Sequence, residues 1–220
     1  MRLPLFRLKL RLAESPDSTL LKRWSMLSLW QLRKTLAERF TGPVIRFLAR
    51  TSITPGAVTW LGFIVSVVAA VLVAGGNLVA AGVLVLVAGF LDMLDGALAR
   101  GTGRVTRFGA VLDSTLDRLS EAALLLGILF LFAAEARLAA VLLVGITLTG
   151  SQLVSYIRAR AEALGLEARA GLFTRPERVI VLALGLLLNQ LVIALVVIAV
   201  FSFLTVGQRL VDVHRQLKIR

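Results

Sequence analysis

From Pro55 onward the chain is written in long apolar runs separated by short polar breaks, and this pattern leaves few folds open. The runs are Pro55 to Gly75, Leu78 to Arg100, Gly109 to Ala133, Arg137 to Leu164, Pro176 to Leu188 and Leu191 to Leu210. An α-helix needs about 20 such residues to cross the hydrocarbon core of a bilayer. The fifth run is the shortest, ending at the Asn189-Gln190 break. With 58% hydrophobic side chains and a mean hydropathy of +0.87, the chain carries more apolar surface than a soluble domain of 220 residues could bury. The pattern predicts an all-α integral membrane protein with six transmembrane helices, so that both termini fall on one side.

Charge supports that count. Lys and Arg number 25 against 13 Asp and Glu, a formal net charge of +12. Nucleic-acid binding would interleave basic side chains with aromatics on a soluble surface, whereas here they collect between the apolar runs; a nucleic-acid partner is excluded in favour of the membrane surface. Eleven basic residues precede Pro55. Others cluster at Arg100, Arg104 and Arg107, at Arg158, Arg160, Arg169, Arg175 and Arg178, and from Arg209 to the C-terminus. The alternate turns hold only Arg137. Positively charged short loops stay cytoplasmic, which predicts a multi-pass protein of the cell membrane with both termini inside. Cysteine is absent, and with the single His214 this leaves oxygen ligands as the basis for any metal site.

Residues 1–50 form a separate basic arm. Leu alternates with Arg or Lys up to Leu12, and Ser15-Pro16-Asp17-Ser18 then marks a turn. No apolar core of a secretory signal is present. Between Thr19 and Phe40, Leu20, Leu21, Trp24, Leu27, Leu32 and Leu36 recur at helical spacing against Lys22, Arg23, Arg33, Lys34 and Arg39. That predicts an amphipathic helix in the headgroup layer, ended by Gly42-Pro43. A membrane domain of residues 51–220 follows, with Thr54 as N-cap and Pro55 in the first turn.

Ionisable groups inside membrane spans are costly and usually functional. Asp92 and Asp95 close the second run, and Asp113 and Asp117 open the third. Spacings of three and four put each pair on one helix face, and the short connection makes the helices neighbours. Four carboxylates then converge at one depth. Unless cations intervene they repel, and an oxygen-only set suits Mg²⁺ or Mn²⁺, two of which clamp a phosphoryl group in many enzymes. Pairing of the acids with Arg100, Arg107 and Arg118, or a proton or cation path, are the competing readings. Gly96 and Ala99 clear one face for a bulky diphosphate, Gly109 clears space a turn before Asp113, and Arg100 offers a fork of donors.

The string Asp92-x-x-Asp95-Gly96-x-x-Ala99-Arg100, eight residues, then Gly109-x-x-x-Asp113-x-x-x-Asp117 resembles the signature of the CDP-alcohol phosphotransferase family at every fixed position. The resemblance implies a six-helix, homodimeric membrane enzyme. It transfers a phosphatidyl-type group from a CDP-diacylglycerol-type lipid to an alcohol, releasing CMP. By position, Asp92, Asp95, Asp113 and Asp117 are implied metal ligands, with Asp117 also the catalytic base. Gly96, Arg100 and Thr106, with Pro55, Gly56, Ala57 and Val58, are implied contacts of the CDP-lipid.

Several arginines near the cytoplasmic ends of the later runs predict an anionic acceptor. Ser155-Tyr156-Ile157-Arg158-Ala159-Arg160-Ala161-Glu162 together with Arg175-Pro176-Glu177-Arg178 resembles the phosphatidylinositol phosphate synthase branch and its archaeal ether-lipid relatives. There the matching Arg158, Arg175, Arg178 and Arg209 are implied to hold inositol phosphate, although Lys is common at the position of Arg158. Glycerol 3-phosphate is the alternative acceptor. Glu121 lies beside the acids without an assigned role.

Overall fold

The computed structural model describes residues 53–166, 171 and 173–219. The basic arm of residues 1–50, with its expected interfacial helix, lies outside the described residues, as does Arg169. Six helices follow in order: α1 Pro55–Ala74, α2 Leu78–Gly101, α3 Arg107–Ala134, α4 Leu138–Ala163, α5 Arg175–Leu187 and α6 Leu191–Ile219. No strand occurs among the described residues.

The helix starts carry the chemistry the sequence advertises. The Thr54 hydroxyl accepts the Ala57 N–H at 3.3 Å, and Pro55 follows at the first position. The Thr106 hydroxyl likewise accepts the Gly109 N–H at 2.9 Å. At α5 the Glu177 carboxylate reaches back to the Thr174 N–H at 2.8 Å, satisfying an orphan donor of the first turn.

Five helix ends share another device. The N–H groups of Asn77, Arg104, Arg137, Leu166 and Gln190 each return to a carbonyl five residues earlier. The residue before each takes a positive φ: Gly76, Gly103, Ala136, Gly165 and Asn189. This is the closing turn that sequesters the last carbonyls of a helix, and it reverses the chain sharply enough for α1–α2, α3–α4 and α5–α6 to be joined by three residues each.

Backbones pack closely in the pairs α1–α2, α1–α3, α2–α5, α3–α4, α4–α6 and α5–α6. Phe132, Leu125, Ile128, Leu186 and Leu195 form the centre of the buried cluster. Small residues set the closest crossings: a Cβ at Gly127 would collide with the Ala70 carbonyl of α1, and one at Gly185 with the Ala194 side chain. Such contacts are how helices associate where lipid removes the hydrophobic drive. Outward faces carry Trp60, Ile64, Val71, Leu142 and Ile193 in exposed positions, suited to lipid.

The expected six spans resolve as six helices, of which α1, α2, α4 and α6 are long and apolar enough to cross a membrane. The other two differ for separate reasons. Helix α3 carries Arg107, Asp113, Asp117, Arg118 and Glu121 between its start and its middle turn, and α5 has 13 residues, only about 20 Å of helix. The last helix exceeds its expected end at Leu210 because Val213 packs on Ala161 and Leu166 while Gln216 bonds Asp212 at 3.2 Å.

Candidate active site

The acids gather where the end of α2 meets the start of α3. Ligand oxygens of Asp92, Asp95 and Asp113 all lie within 4.8 Å of one another. Asp95 is the most enclosed at 3% exposure, and its Oδ2 is buried without a hydrogen-bond partner. A buried carboxylate oxygen in that state is costly unless a ligand completes it. Asp117, one turn beyond Asp113 on α3, joins the group through Arg175. The Arg175 Nη1 lies 2.5 Å from Asp92 Oδ2 and 2.8 Å from Asp117 Oδ1, tying α5 to both acid-bearing helices.

The competing idea of ion pairs to Arg100, Arg107 and Arg118 named the wrong partner for Asp92 and Asp117, which pair with Arg175. Arg118 turns back to the Ser114 carbonyl and faces a separate groove with Gln152 and Tyr156.

Beside the acids opens a cleft of about 590 Å³, within the range of small-ligand pockets. Pro55, Gly56, Gly96, Arg100 and Thr106 line it together with Asp95 and Asp113. Ala57 and Val58 do not: Val58 is buried, and the Ala57 N–H is committed to Thr54. The Arg100 guanidinium folds over Gly96, where a Cβ would sit 3.3 Å from Nη1. Gly109, expected to clear ligand space, instead clears the Thr106 hydroxyl that caps α3: a Cβ there would lie 2.8 Å from Thr106 Oγ1.

The four arginines expected at the acceptor separate. Arg175 enters the acid cluster. Arg178, one turn deeper on α5, is 2% exposed, and Glu121 takes its Nε at 2.6 Å and its Nη2 at 2.9 Å. That leaves Nη1 buried and without a partner, and Arg178 lines a cavity of about 40 Å³ together with Asp92, Asp117, Ser66 and Ser120. Arg209, 3% exposed, donates to the Val154 carbonyl and lies close enough to Arg158 and Arg178 to feel their charge. Arg158 is more open and pairs with Glu162 at 2.8 Å.

Sequence reasoning left Glu121 unassigned, yet the signal was present: Glu121 stands four residues after Asp117, and Arg178 three after Arg175. Two helical faces thus repeat the same acid–arginine pairing one turn apart.

Comparison with known proteins joins this geometry to a lineage. Residues 52–207 match the family model described as CDP-alcohol phosphatidyltransferase. The archaetidylinositol phosphate synthase of Pyrococcus horikoshii is 40% identical over 173 residues, covering 78% of this chain and 89% of the relative. The phosphatidylinositol phosphate synthase of Mycobacteroides abscessus is 42% identical over 190 residues, covering 81% and 84%. The crystal structure of the Mycobacterium tuberculosis phosphatidylinositol phosphate synthase with CDP-DAG bound superposes with a TM-score of 0.73 at 41% identity, covering 80% of this chain and 94% of that one. The same enzyme in complex with manganese and citrate gives 0.72 at 41% identity, covering 79% and 88%. With the signature acids converged and the match running through all six helices, this chain belongs to the CDP-alcohol phosphatidyltransferase family.

Proposed function

We propose that this protein transfers a phosphatidyl-type group from CDP-diacylglycerol, or an equivalent CDP-lipid, to inositol phosphate and releases CMP. The observation that carries the reading is the convergence of Asp92, Asp95 and Asp113 within 4.8 Å at the mouth of a cleft lined by Gly96, Arg100 and Thr106. Relatives at about 40% identity, an archaetidylinositol phosphate synthase and a phosphatidylinositol phosphate synthase, support the acceptor.

The donor set fits divalent ions: oxygen ligands only, with the buried Asp95 Oδ2 still lacking a partner. Asp92, Asp95, Asp113 and Asp117 would hold them, two Mg²⁺ or Mn²⁺ in this reading. Bound there, the ions supply positive charge against the diphosphate and the leaving CMP. Arg100 and Thr106 would hold the CDP group, with Pro55 and Gly56 closing the cleft and Ala57 and Val58 shaping the turn behind them. Asp117 takes the proton of the attacking hydroxyl, whose oxygen bonds the phosphorus carried by the lipid as the bond to CMP breaks. Arg158, Arg175, Arg178 and Arg209 would favour an anionic acceptor. Of these, Arg178 has only Nη1 to offer.

In this reading the six helices form one membrane domain, residues 51–220, preceded by the basic arm 1–50. Both termini and the site face the cytoplasmic side of the cell membrane, a reading supported by the positively charged turns. The functional unit is a homodimer.

The test is an acceptor assay. Purified protein with Mg²⁺ and CDP-diacylglycerol should release CMP with inositol phosphate and not with glycerol 3-phosphate. Release only with glycerol 3-phosphate would replace the acceptor. Metal flux into vesicles without any nucleotide lipid, and no CMP release, would replace the enzyme with a cation transporter.

A further inference from the structure

We infer that Glu121 is a positioning residue for the acceptor: it holds the Arg178 guanidinium in one plane and leaves Nη1 as the nitrogen with which Arg178 takes the acceptor's phosphate. The inference rests on the transferase reading, in which Arg178 favours an anionic acceptor, and gives a role to an acid that the signature does not contain.

Both oxygens of Glu121 face the guanidinium. Oε1 accepts from Arg178 Nε at 2.6 Å and Oε2 from Nη2 at 2.9 Å, between side chains 8% and 2% exposed. Glu121 is not among the acids whose oxygens lie within 4.8 Å of one another. It therefore acts through Arg178. Two parallel bonds to one edge of a planar fork fix the plane of the guanidinium, where a single bond would leave it free to turn.

The fork so held is incomplete. Nη1 is buried without a hydrogen-bond partner, a costly state for a guanidinium nitrogen unless a ligand completes it. Arg178 lines one cavity with Asp92, Asp117 and Arg175, which ties that missing partner to the reaction centre and not to the outer packing. Arg209 on α6 lies close enough to feel the charges of Arg158 and Arg178, so cations from three helices collect in this region. That setting suits a phosphate.

A positioning role is narrower than a clamp. Were Glu121 only a brace between α3 and α5, its loss would disturb everything that α5 carries, Arg175 included. The donor cleft, lined by Pro55, Gly96, Arg100 and Thr106, shares neither Glu121 nor Arg178. Turning the Arg178 guanidinium out of its plane should therefore weaken the acceptor and leave the donor bound as before.

The experiment compares wild type, Glu121→Asp and Glu121→Gln by CMP release, with KM measured separately for CDP-diacylglycerol and for inositol phosphate at saturating Mg²⁺. Aspartate keeps the charge but withdraws the carboxylate by a methylene; glutamine keeps the length but accepts with one oxygen only. In both, KM for inositol phosphate should rise about tenfold or more, while KM for CDP-diacylglycerol and kcat change by less than about threefold, the pattern of a lost binding contact. Should Glu121→Gln not be recovered folded, Glu121→Asp decides, since it keeps the counter-charge. An unchanged KM for inositol phosphate, or a rise shared equally by both substrates, overturns the inference and leaves the pair as a brace. Failure of the transferase reading shows separately, as wild-type protein that releases no CMP with any acceptor.

Discussion

Glu121 on α3 and Arg178 on α5 form a two-pronged ion pair at 2.6 and 2.9 Å, with side chains only 8% and 2% exposed. The backbones of α3 and α5 are not among the closely packed helix pairs, so side chains span the interval between them. The pair lies one turn below Asp117 and Arg175, and it fixes the depth at which α5 presents Arg175 to the acids.

Breaking that pair from one side should be expensive. Glu121→Gln leaves a buried guanidinium without its counter-charge, which costs about 3–5 kcal/mol. The thermal midpoint of the detergent-solubilised protein should fall sharply. The double variant Glu121→Leu with Arg178→Leu removes both charges and should recover most of the stability. A single variant as stable as wild type would show that the pair does not hold α5.

Close helix approach gives a second test. Gly127→Ala places a methyl group against the Ala70 carbonyl and should destabilise by about 1–3 kcal/mol. Gly145→Ala on α4 meets nothing within 4 Å and should leave stability unchanged or slightly raised. Equal responses at the two glycines would contradict the α1–α3 crossing.

The turn between α3 and α4 stores a correctable strain. Ala136 takes φ 56°, a left-handed conformation that its Cβ disfavours by roughly 1–2 kcal/mol, whereas Gly76, Gly103 and Gly165 occupy the equivalent place elsewhere. Ala136→Gly should therefore raise the thermal midpoint, less any entropy lost through the glycine in the unfolded chain. A lower midpoint would mean that the turn does not require a positive φ.

Much of this architecture was legible beforehand. Thr54-Pro55 marked its helix boundary because capping is a local property that a few residues decide. The acids were legible for the same reason: offsets of three and four fix a helical face without knowledge of the fold. The arginines were harder. Arg158, Arg175, Arg178 and Arg209 look alike in sequence, and their separation into an acid partner, a buried bridge, a backbone donor and an exposed pair depends on which helices pack together. The shortness of the fifth run was also legible, but not its packing against α2 and α6, on which a helix of 13 residues and about 20 Å depends.

The base assignment is tested by Asp117→Asn, which keeps the shape of the side chain and removes its capacity to take a proton. The acceptor-dependent rate should fall about 100- to 10,000-fold, with the protein still folded and monodisperse in detergent. Retained turnover would assign the base elsewhere.

In the proposed reaction the converged aspartates grip divalent cations. That grip is read by Mn²⁺ titration of the purified protein, followed by paramagnetic resonance with no lipid present. Wild type should show saturable binding that Mg²⁺ displaces, and Asp95→Asn and Asp113→Asn should each weaken it by tenfold or more, about 1.4 kcal/mol. Binding of equal strength in wild type and both variants would mean that these carboxylates do not hold the ion.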